Sequence, residues 1–131
     1  MAENPDAFVY SINHEDENIG YCVIWELQEF YFLEHFEVFE EFRNQKFGEK
    51  ILESLQEKFE KLILETEPDS LSEIAERRLR FYERNGFSVI EKNYLQPSYG
   101  EGKYAVNLFL MANFQPENLE TLVQEIYSTV Y

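Results

Sequence analysis

The feature that most constrains the fold is an amphipathic helix enclosed between two strand-like runs. One apolar residue recurs every four positions along this helix, at Phe47, Ile51, Leu55 and Phe59. Residues 30–38 before it and residues 61–68 after it have strand character, and the second run has a continuous apolar centre. A strand, helix, strand order of this kind predicts a right-handed crossover between two parallel strands.

A short basic turn, residues 43–48 (R-N-Q-K-F-G), precedes the helix. The first N–H groups of a helix have no partner within it, and together with the positive end of the helix dipole they favour an anion such as phosphate. Arg43 and Lys46 place positive charge here, in a chain with 26 acidic and 11 basic residues. The turn therefore predicts a phosphate-binding site.

Composition bounds the class of protein. A chain of 131 residues with 44% hydrophobic and 17% aromatic residues is expected to form one folded domain, residues 1–131. A formal net charge of −15 argues against nucleic acid as a partner. The excess of acidic residues would attract a cationic substrate. The alternative is that it only keeps the protein soluble.

The cysteine content and the hydropathy of the chain indicate the cellular compartment in which the protein is expected. The single cysteine, Cys22, lies in an apolar run, which predicts a core position and no disulfide within the chain. The N-terminus lacks the features of a signal peptide, and no apolar stretch approaches the length that spans a bilayer. We expect a cytoplasmic protein without membrane association.

Turn and cap signals divide the rest of the chain. Residues 7–12 and 19–26 predict a hairpin around the polar cluster 13–18, where adjacent acidic residues and a histidine rarely converge on one metal ion, so no metal site is expected. Ser70 and Glu73 match a capping box for a helix that ends near Arg84.

Two further strands and a last helix complete the prediction. Residues 87–94 and 104–111 have strand character around a loop, 96–103, that contains two glycines and a proline. Pro116 opens a C-terminal amphipathic helix that runs to Val130.

Three segments in this order resemble the GNAT superfamily of acyl-CoA-dependent N-acetyltransferases. Residues 43–48 are similar to the family's pyrophosphate-binding pattern R/Q-x-x-G-x-G/A, with Lys46 where the first glycine belongs. Residues 64–67 (L-E-T-E) are similar to the strand that follows the helix, and residues 78–87 (R-L-R-F-Y-E-R-N-G-F) to the family's F-Y-x-x-x-G-F segment.

The resemblance implies a fold. It is an α+β fold, an α/β/α sandwich, with a mixed, mostly antiparallel sheet of about six strands and a splayed parallel pair formed by residues 31–38 and 62–67. From this resemblance we expect the chain to lack the family's usual N-terminal strand and helices. The C-terminal helix could cover the resulting gap with its Leu119, Leu122 and Ile126 stripe, in this chain or across a homodimer.

The resemblance also implies an activity, which is transfer of an acetyl group from acetyl-CoA, as co-substrate, to a primary amine of a small molecule or peptide by direct attack. The family's acid is the tyrosine of the F-Y-x-x-x-G-F segment, here Tyr82, which could instead be a half-buried packing residue. The candidate base is Glu65 or Glu34, with Glu37 and Glu67 as weaker candidates. Coenzyme A binding falls on residues around the turn: Phe36, Val38, Arg43, Asn44, Gln45, Lys46, Phe47, Gly48, Glu49 and Lys50.

Two points stay open at this level. The second helix carries four of the five arginines, at Arg77, Arg78, Arg80 and Arg84, which either contact a phosphate or carboxylate ligand or pair with neighbouring glutamates. The alternative functions are an acyl-CoA-binding or interaction module that has lost catalysis, and a structural α+β domain.

Overall fold

The structure is a computed structural model that describes residues 7–43, 46–97 and 106–131. Within these residues the chain forms six strands and three α-helices. Their order is β1 (Ala7–His14), β2 (Glu17–Glu26), β3 (Tyr31–Val38), α1 (Phe47–Phe59), β4 (Leu62–Thr66), α2 (Glu73–Arg84), β5 (Ser88–Gln96), β6 (Val106–Ala112) and α3 (Leu119–Thr129). None of the described helices has the length and apolar character needed to cross a membrane.

The six described strands form one mixed sheet in the order β1-β2-β3-β4-β6-β5. The β1/β2, β2/β3, β4/β6 and β5/β6 pairs are antiparallel. The predicted fold class is confirmed. The chain divides into two compact units, Met1–Leu62 and Ile63–Tyr131.

In the first unit, β1 and β2 are joined by a tighter turn than the sequence suggested. The strands extend through most of the polar cluster, and only Glu15 and Asp16 form the turn. Both have positive φ angles, 50° and 68°. Positive φ at both central residues characterises the type I′ turn, whose twist matches that of a two-residue hairpin.

A β-bulge in β3 interrupts the strict alternation of side chains between the two faces of the strand, so the predicted division of faces is wrong. Alternation would place Phe32, Glu34, Phe36 and Val38 on one face of the strand. In the observed register Leu33 pairs with Ile24 but His35 pairs with Val23, so Glu34 is the extra residue. As a result, Leu33 shares a face with Phe36.

The first unit buries an apolar core between α1 and the sheet. In α1, Ile51 and Phe59 of the predicted stripe are buried, together with Leu52. Cys22 is completely buried, which confirms its predicted core position. The buried sheet residues of this unit include Ile19, Ile24, Trp25, Phe32 and Leu33.

The start of α2 in the second unit differs from the prediction. Ser72, not Ser70, is the N-cap, and its Oγ accepts a hydrogen bond from the N–H of Ala75 at 3.0 Å. A 3₁₀ turn, Asp69–Leu71, precedes it, and the N–H of Leu71 donates to the carbonyl of Pro68. This turn takes up the residues expected to begin the helix.

Helix α3 also begins later than predicted, at Leu119 rather than at Pro116, because Asn118 is its N-cap residue. The Asn118 side chain accepts a hydrogen bond from the N–H of Thr121 at 3.0 Å. Leu122 and Ile126 are buried, and the hydroxyl of Tyr127 donates to the carbonyl of Leu95 in β5 at 2.7 Å. The expected packing of this helix is confirmed within the second unit. The loop predicted for residues 96–103 lies mostly outside the described residues.

Candidate functional site

The N-terminus of α1 has the geometry that an anion site needs. Lys46 is the N-cap residue, with φ 62° and ψ 22°, and its side chain makes no capping hydrogen bond. The N–H groups of the first turn of α1 are therefore not capped by that side chain. Asn44 and Gln45, which were also predicted to bind the cofactor, lie outside the described residues.

The other residues predicted to bind the cofactor surround this helix start or precede it. Phe36 and Val38 are half-buried on β3, and Phe47 and Gly48 are half-buried in the first turn of α1. The Arg43 guanidinium is turned toward the end of β3, where its Nε donates to the carbonyl of Val38 at 2.9 Å. This hydrogen bond joins the Arg43 side chain to the last residue of β3.

Charges at the first turn of α1 are mixed. Glu49 and Lys50 are both exposed, and Glu49 is the acidic residue of the first turn. A carboxylate there suits the helix dipole but opposes a phosphate. Lys46 and Lys50 supply the cationic side chains that offset it.

Glu34, a candidate base in the first unit, lies in the β3 bulge. The indole Nε1 of Trp25 donates a hydrogen bond to Glu34 Oε1 at 2.5 Å. Trp25 is buried whereas Glu34 is exposed, so the indole orients the carboxylate from the protein side. Oε2 of Glu34 accepts no hydrogen bond from the described residues.

Glu65, the candidate base in the second unit, is held in a dense hydrogen-bond network. Its Oε2 accepts from the hydroxyl of Tyr94, and its Oε1 accepts from Nε2 of Gln96 at 2.9 Å. The hydroxyl of Tyr131 lies 2.7 Å from Oε1 and 2.9 Å from Oε2. Donors on both oxygens stabilise the ionised form of a carboxylate.

Tyr94 is the buried member of this network. Burial, followed by the charge of Glu65 and the hydrogen bond to it, raises the pKa of the Tyr94 hydroxyl well above its ordinary value. The ring of Tyr94 also contacts that of Tyr127 from α3, with centroids 5.8 Å apart. The network therefore links β4, β5 and the residues of the C-terminal helix.

Tyr82, the candidate acid, lies in the last turn of α2. Its ring packs against those of Phe81 and Phe87, with centroids 5.7 Å and 6.1 Å away. Burial raises the pKa of its hydroxyl, and the nearby charge of Arg78 acts in the opposite direction. The hydroxyl makes no hydrogen bond with the described residues, so geometry is compatible with both predicted roles, proton donor and packing residue.

Two of the four arginines of α2 pair with carboxylates in the second unit, in agreement with the second interpretation. Arg78 lies 3.6 Å from Glu67, and Arg80 lies 3.8 Å from Asp69 and 2.8 Å from Glu83. Glu67, a weaker candidate base, is therefore engaged in an ion pair.

Sequence reasoning missed the partners that orient both candidate bases. Trp25 reaches Glu34 across a strand pair, while Tyr94 and Tyr131 reach Glu65 over 29 and 66 residues of chain. The pairing of β2 with β3 could have suggested Trp25, because Trp25 lies opposite the start of β3. No local signal marks Tyr94 or Tyr131.

Comparison with known proteins places this geometry in a family. The sequence model of the family described as "Acetyltransferase (GNAT) domain" matches residues 5–89. None of the curated protein sequences compared with the chain matches it significantly.

Solved structures give the same result. The chain is similar to a GNAT-family acetyltransferase from Bacteroides thetaiotaomicron, with 33% identity, a TM-score of 0.90, and coverage of 96% of this chain and 73% of that one. A GNAT-family acetyltransferase from Elizabethkingia anophelis has the same fold at 22% identity, with a TM-score of 0.61 and coverage of 82% and 75%. An aminoglycoside 6′-N-acetyltransferase has it at 16% identity, with a TM-score of 0.57 and coverage of 88% and 77%. The family match and the first of these structures show that the chain belongs to the GNAT family of acetyltransferases.

Proposed function

We propose that this protein transfers the acetyl group of acetyl-CoA to a primary amine by direct attack of the amine on the thioester. The observation that carries the proposal is the start of α1, where Lys46 adopts a left-handed conformation and its own side chain makes no capping hydrogen bond. The Elizabethkingia anophelis structure of the same fold has acetyl-CoA bound, and the aminoglycoside acetyltransferase structure is a complex with coenzyme A.

The residues at this helix start fit a pyrophosphate. Its oxygens would accept hydrogen bonds from the N–H groups of the first turn, beside the ammonium groups of Lys46 and Lys50. Gly48 has no side chain to keep a ligand from the backbone. When bound, acetyl-CoA supplies the activated acetyl group, and the residues of this chain bind it and move protons.

The reaction needs a group that donates a proton to the leaving thiolate. We assign this role to Tyr82, because a tyrosine hydroxyl is protonated at neutral pH and this one donates no hydrogen bond to a described residue, so its proton is available. As the amine nitrogen bonds to the carbonyl carbon and the carbon–sulfur bond breaks, the thiolate takes that proton.

The reaction also needs a base for the ammonium form of the acceptor. We assign this role to Glu34, because Trp25 orients one carboxylate oxygen and leaves Oε2 without a hydrogen bond from the described residues. Glu65 has donors on both oxygens, so it would have to exchange a proton through the Tyr131 hydroxyl. A Glu34→Gln change should therefore lower kcat more than Glu65→Gln does, and the reverse order would reject this assignment.

A cationic acceptor fits the face of β2 and β3 opposite α1. His35 stacks on Tyr21 at a centroid distance of 5.1 Å, and Glu37 pairs with Tyr21 in the strand register. Neither Glu34 nor Glu37 forms an ion pair with a described lysine or arginine. Aromatic faces and unpaired carboxylates together attract an ammonium group.

The first experiment is a thermal-shift titration with acetyl-CoA, followed by measurement of thiol release with a panel of amines. Stabilisation by acetyl-CoA and faster release with polyamines than with zwitterionic amino acids are expected. Binding without release on any amine would favour the acyl-CoA-binding module, and failure to bind would reject both functions.

A matched pair of variants localises the cofactor. Lys46→Glu reverses a charge at the start of α1, whereas Lys92→Glu makes the same change on an exposed lysine of β5. Only the first should weaken acetyl-CoA binding. Equal weakening in both would mean that net charge, and not this site, controls the affinity.

A further inference from the structure

The first unit contains a cavity that shares Phe47 and Lys50 with the proposed cofactor site and extends away from it along α1. It has a volume of about 380 Å³ and lies between α1 and the β1–β2 hairpin. Its lining extends along α1 from Phe47 to Phe59, which is about 18 Å of helix. Small-molecule sites in proteins have volumes of roughly 300–1,000 Å³, so this cavity is large enough to hold a small organic ligand.

The inner wall of the cavity is apolar. Ile19, Cys22 and Ile51 are buried residues of this wall, and Ile12 and Leu55 are half-buried. Burial raises the pKa of the Cys22 thiol to about 11, so this side chain is uncharged at neutral pH. An apolar wall of this kind favours a hydrocarbon chain or ring.

The mouth of the cavity is cationic. Lys50, Ser54 and Lys58 recur every four residues along α1 and line one side of it. The ammonium nitrogen of Lys58 lies 4.7 Å from the ring centroid of Tyr10, on the hairpin side. Neither lysine forms an ion pair with a described carboxylate, although the chain has 26 acidic residues.

We propose that this cavity binds a small organic anion with an apolar body, such as a medium-chain carboxylate. The hydrocarbon part lies against Ile12, Ile19 and Ile51, and the carboxylate lies at the mouth beside Lys58. Charge complementarity selects this class, because a cation would meet the ammonium group of Lys58 and a neutral molecule would leave that group without a counter-charge.

The test uses octanoate as the probe, with octan-1-ol and octylammonium as probes of the same chain length. Two-dimensional NMR of isoleucine methyl groups reports on the wall directly. Octanoate should shift the signals of Ile12, Ile19 and Ile51 and bind more tightly than either control. An absence of shifts, or equal affinity for octylammonium, would reject the proposal.

Variants separate the contribution of charge from that of the apolar wall. Lys58→Met keeps most of the side chain but removes the ammonium, and should weaken octanoate binding about fivefold while leaving octanol binding unchanged. Lys92→Met, on β5, is the matched control and should have no effect. Ser54→Trp should fill the mouth and abolish binding of both probes.

Two outcomes would assign the cavity differently. If Lys58→Met and Lys92→Met bind octanoate equally well, the lysine does not recognise the anion and the proposal is wrong. If the isoleucine signals shift with protein concentration alone, a second copy of the chain occupies the cavity, and the proposal is again wrong.

Discussion

Lys46 has a backbone conformation that its residue type disfavours. Its φ of 62° lies in the left-handed region, which glycine adopts freely and other L-residues adopt at a cost. The family pattern has its first glycine at the position that corresponds to Lys46. A glycine at position 46 would adopt the observed conformation without this steric cost.

Replacing Lys46 with glycine should therefore stabilise the protein. The expected gain in the free energy of unfolding is about 1 kcal/mol, because glycine removes the steric cost of the left-handed conformation. Urea denaturation would measure it, with Lys46→Ala as the control that removes the charge but keeps Cβ. Equal stability of the two variants would show that the backbone conformation is not the cause.

Tyr82 provides a prediction about catalysis at the same scale. If its hydroxyl protonates the leaving thiolate, Tyr82→Phe should lower kcat about 100-fold with little change in acetyl-CoA affinity. Steady-state kinetics and a thermal-shift titration separate the two effects. Tyr31→Phe is the control, since Tyr31 is half-buried against Phe59 and has no assigned role. An unchanged kcat in Tyr82→Phe would leave Tyr82 as a packing residue.

At the scale of secondary-structure elements, the start of α2 shows how a helix cap can lie two residues away from the position that the sequence pattern predicts. Ser70 and Ser72 both precede an acidic and apolar run, but only Ser72 caps the helix. Pro68 and the 3₁₀ turn Asp69–Leu71 hold Ser70 outside the helix.

The two serines make a matched pair for measuring the cap. Ser72→Ala should reduce the free energy of unfolding by about 1 kcal/mol, because the N–H of Ala75 loses its acceptor. Ser70→Ala should change it by less than about 0.5 kcal/mol, as expected for an exposed residue without this role. Equal losses, measured by urea denaturation, would contradict the observed cap.

The network around Glu65 joins β4, β5 and Tyr131, which lies two residues after α3, and it predicts that stability depends on alkaline pH. The raised pKa of Tyr94 means that the folded protein keeps this proton while the unfolded chain loses it near pH 10. The stabilising contribution is therefore complete below about pH 10 and decreases as the pH rises further, by about 1.4 kcal/mol per pH unit.

A comparison of pH profiles isolates this contribution. Tyr94→Phe should have a flatter fall in the free energy of unfolding above pH 10 than the unmodified protein, although it is less stable at pH 7 because Glu65 loses a donor. Chemical denaturation at a series of pH values gives both curves. Parallel curves would show that Tyr94 does not retain its proton.

At the scale of the whole molecule, net charge is the dominant property. A formal charge of −15 produces a field that attracts cations over a distance set by ionic strength. For a polycationic amine, kcat/KM should fall several-fold as salt rises from about 0.01 M to about 0.15 M and the Debye length shortens from about 30 Å to about 8 Å.

The corresponding control is a zwitterionic amino acid, whose kcat/KM should change little over the same range. Initial-rate kinetics with both acceptors make the measurement. An equal response of the two acceptors to salt would mean that the acidity does not steer the substrate and serves another purpose, such as solubility.

Much of the fold follows from patterns that are local in the sequence. The four-residue spacing from Phe47 to Phe59 locates α1, and the apolar centre of residues 62–64 locates β4, because both signals come from neighbours along the chain. Boundaries were less predictable. The bulge at Glu34 shifts the strand faces, the cap of α2 lies two residues beyond the predicted one, and α3 begins three residues after Pro116.

In the candidate site, too, some features follow from local sequence patterns and others only from the tertiary structure. The sequence by itself determined the order of strands and helices, the basic turn and the resemblance to the GNAT family, since each depends on residue type and short-range spacing. Only the tertiary structure decided that Glu65 is held by Tyr94 and Tyr131, that Oε2 of Glu34 accepts no hydrogen bond from the described residues, and that Lys50 and Lys58 border a cavity. Those properties depend on contacts between residues up to 66 positions apart, which no local pattern encodes.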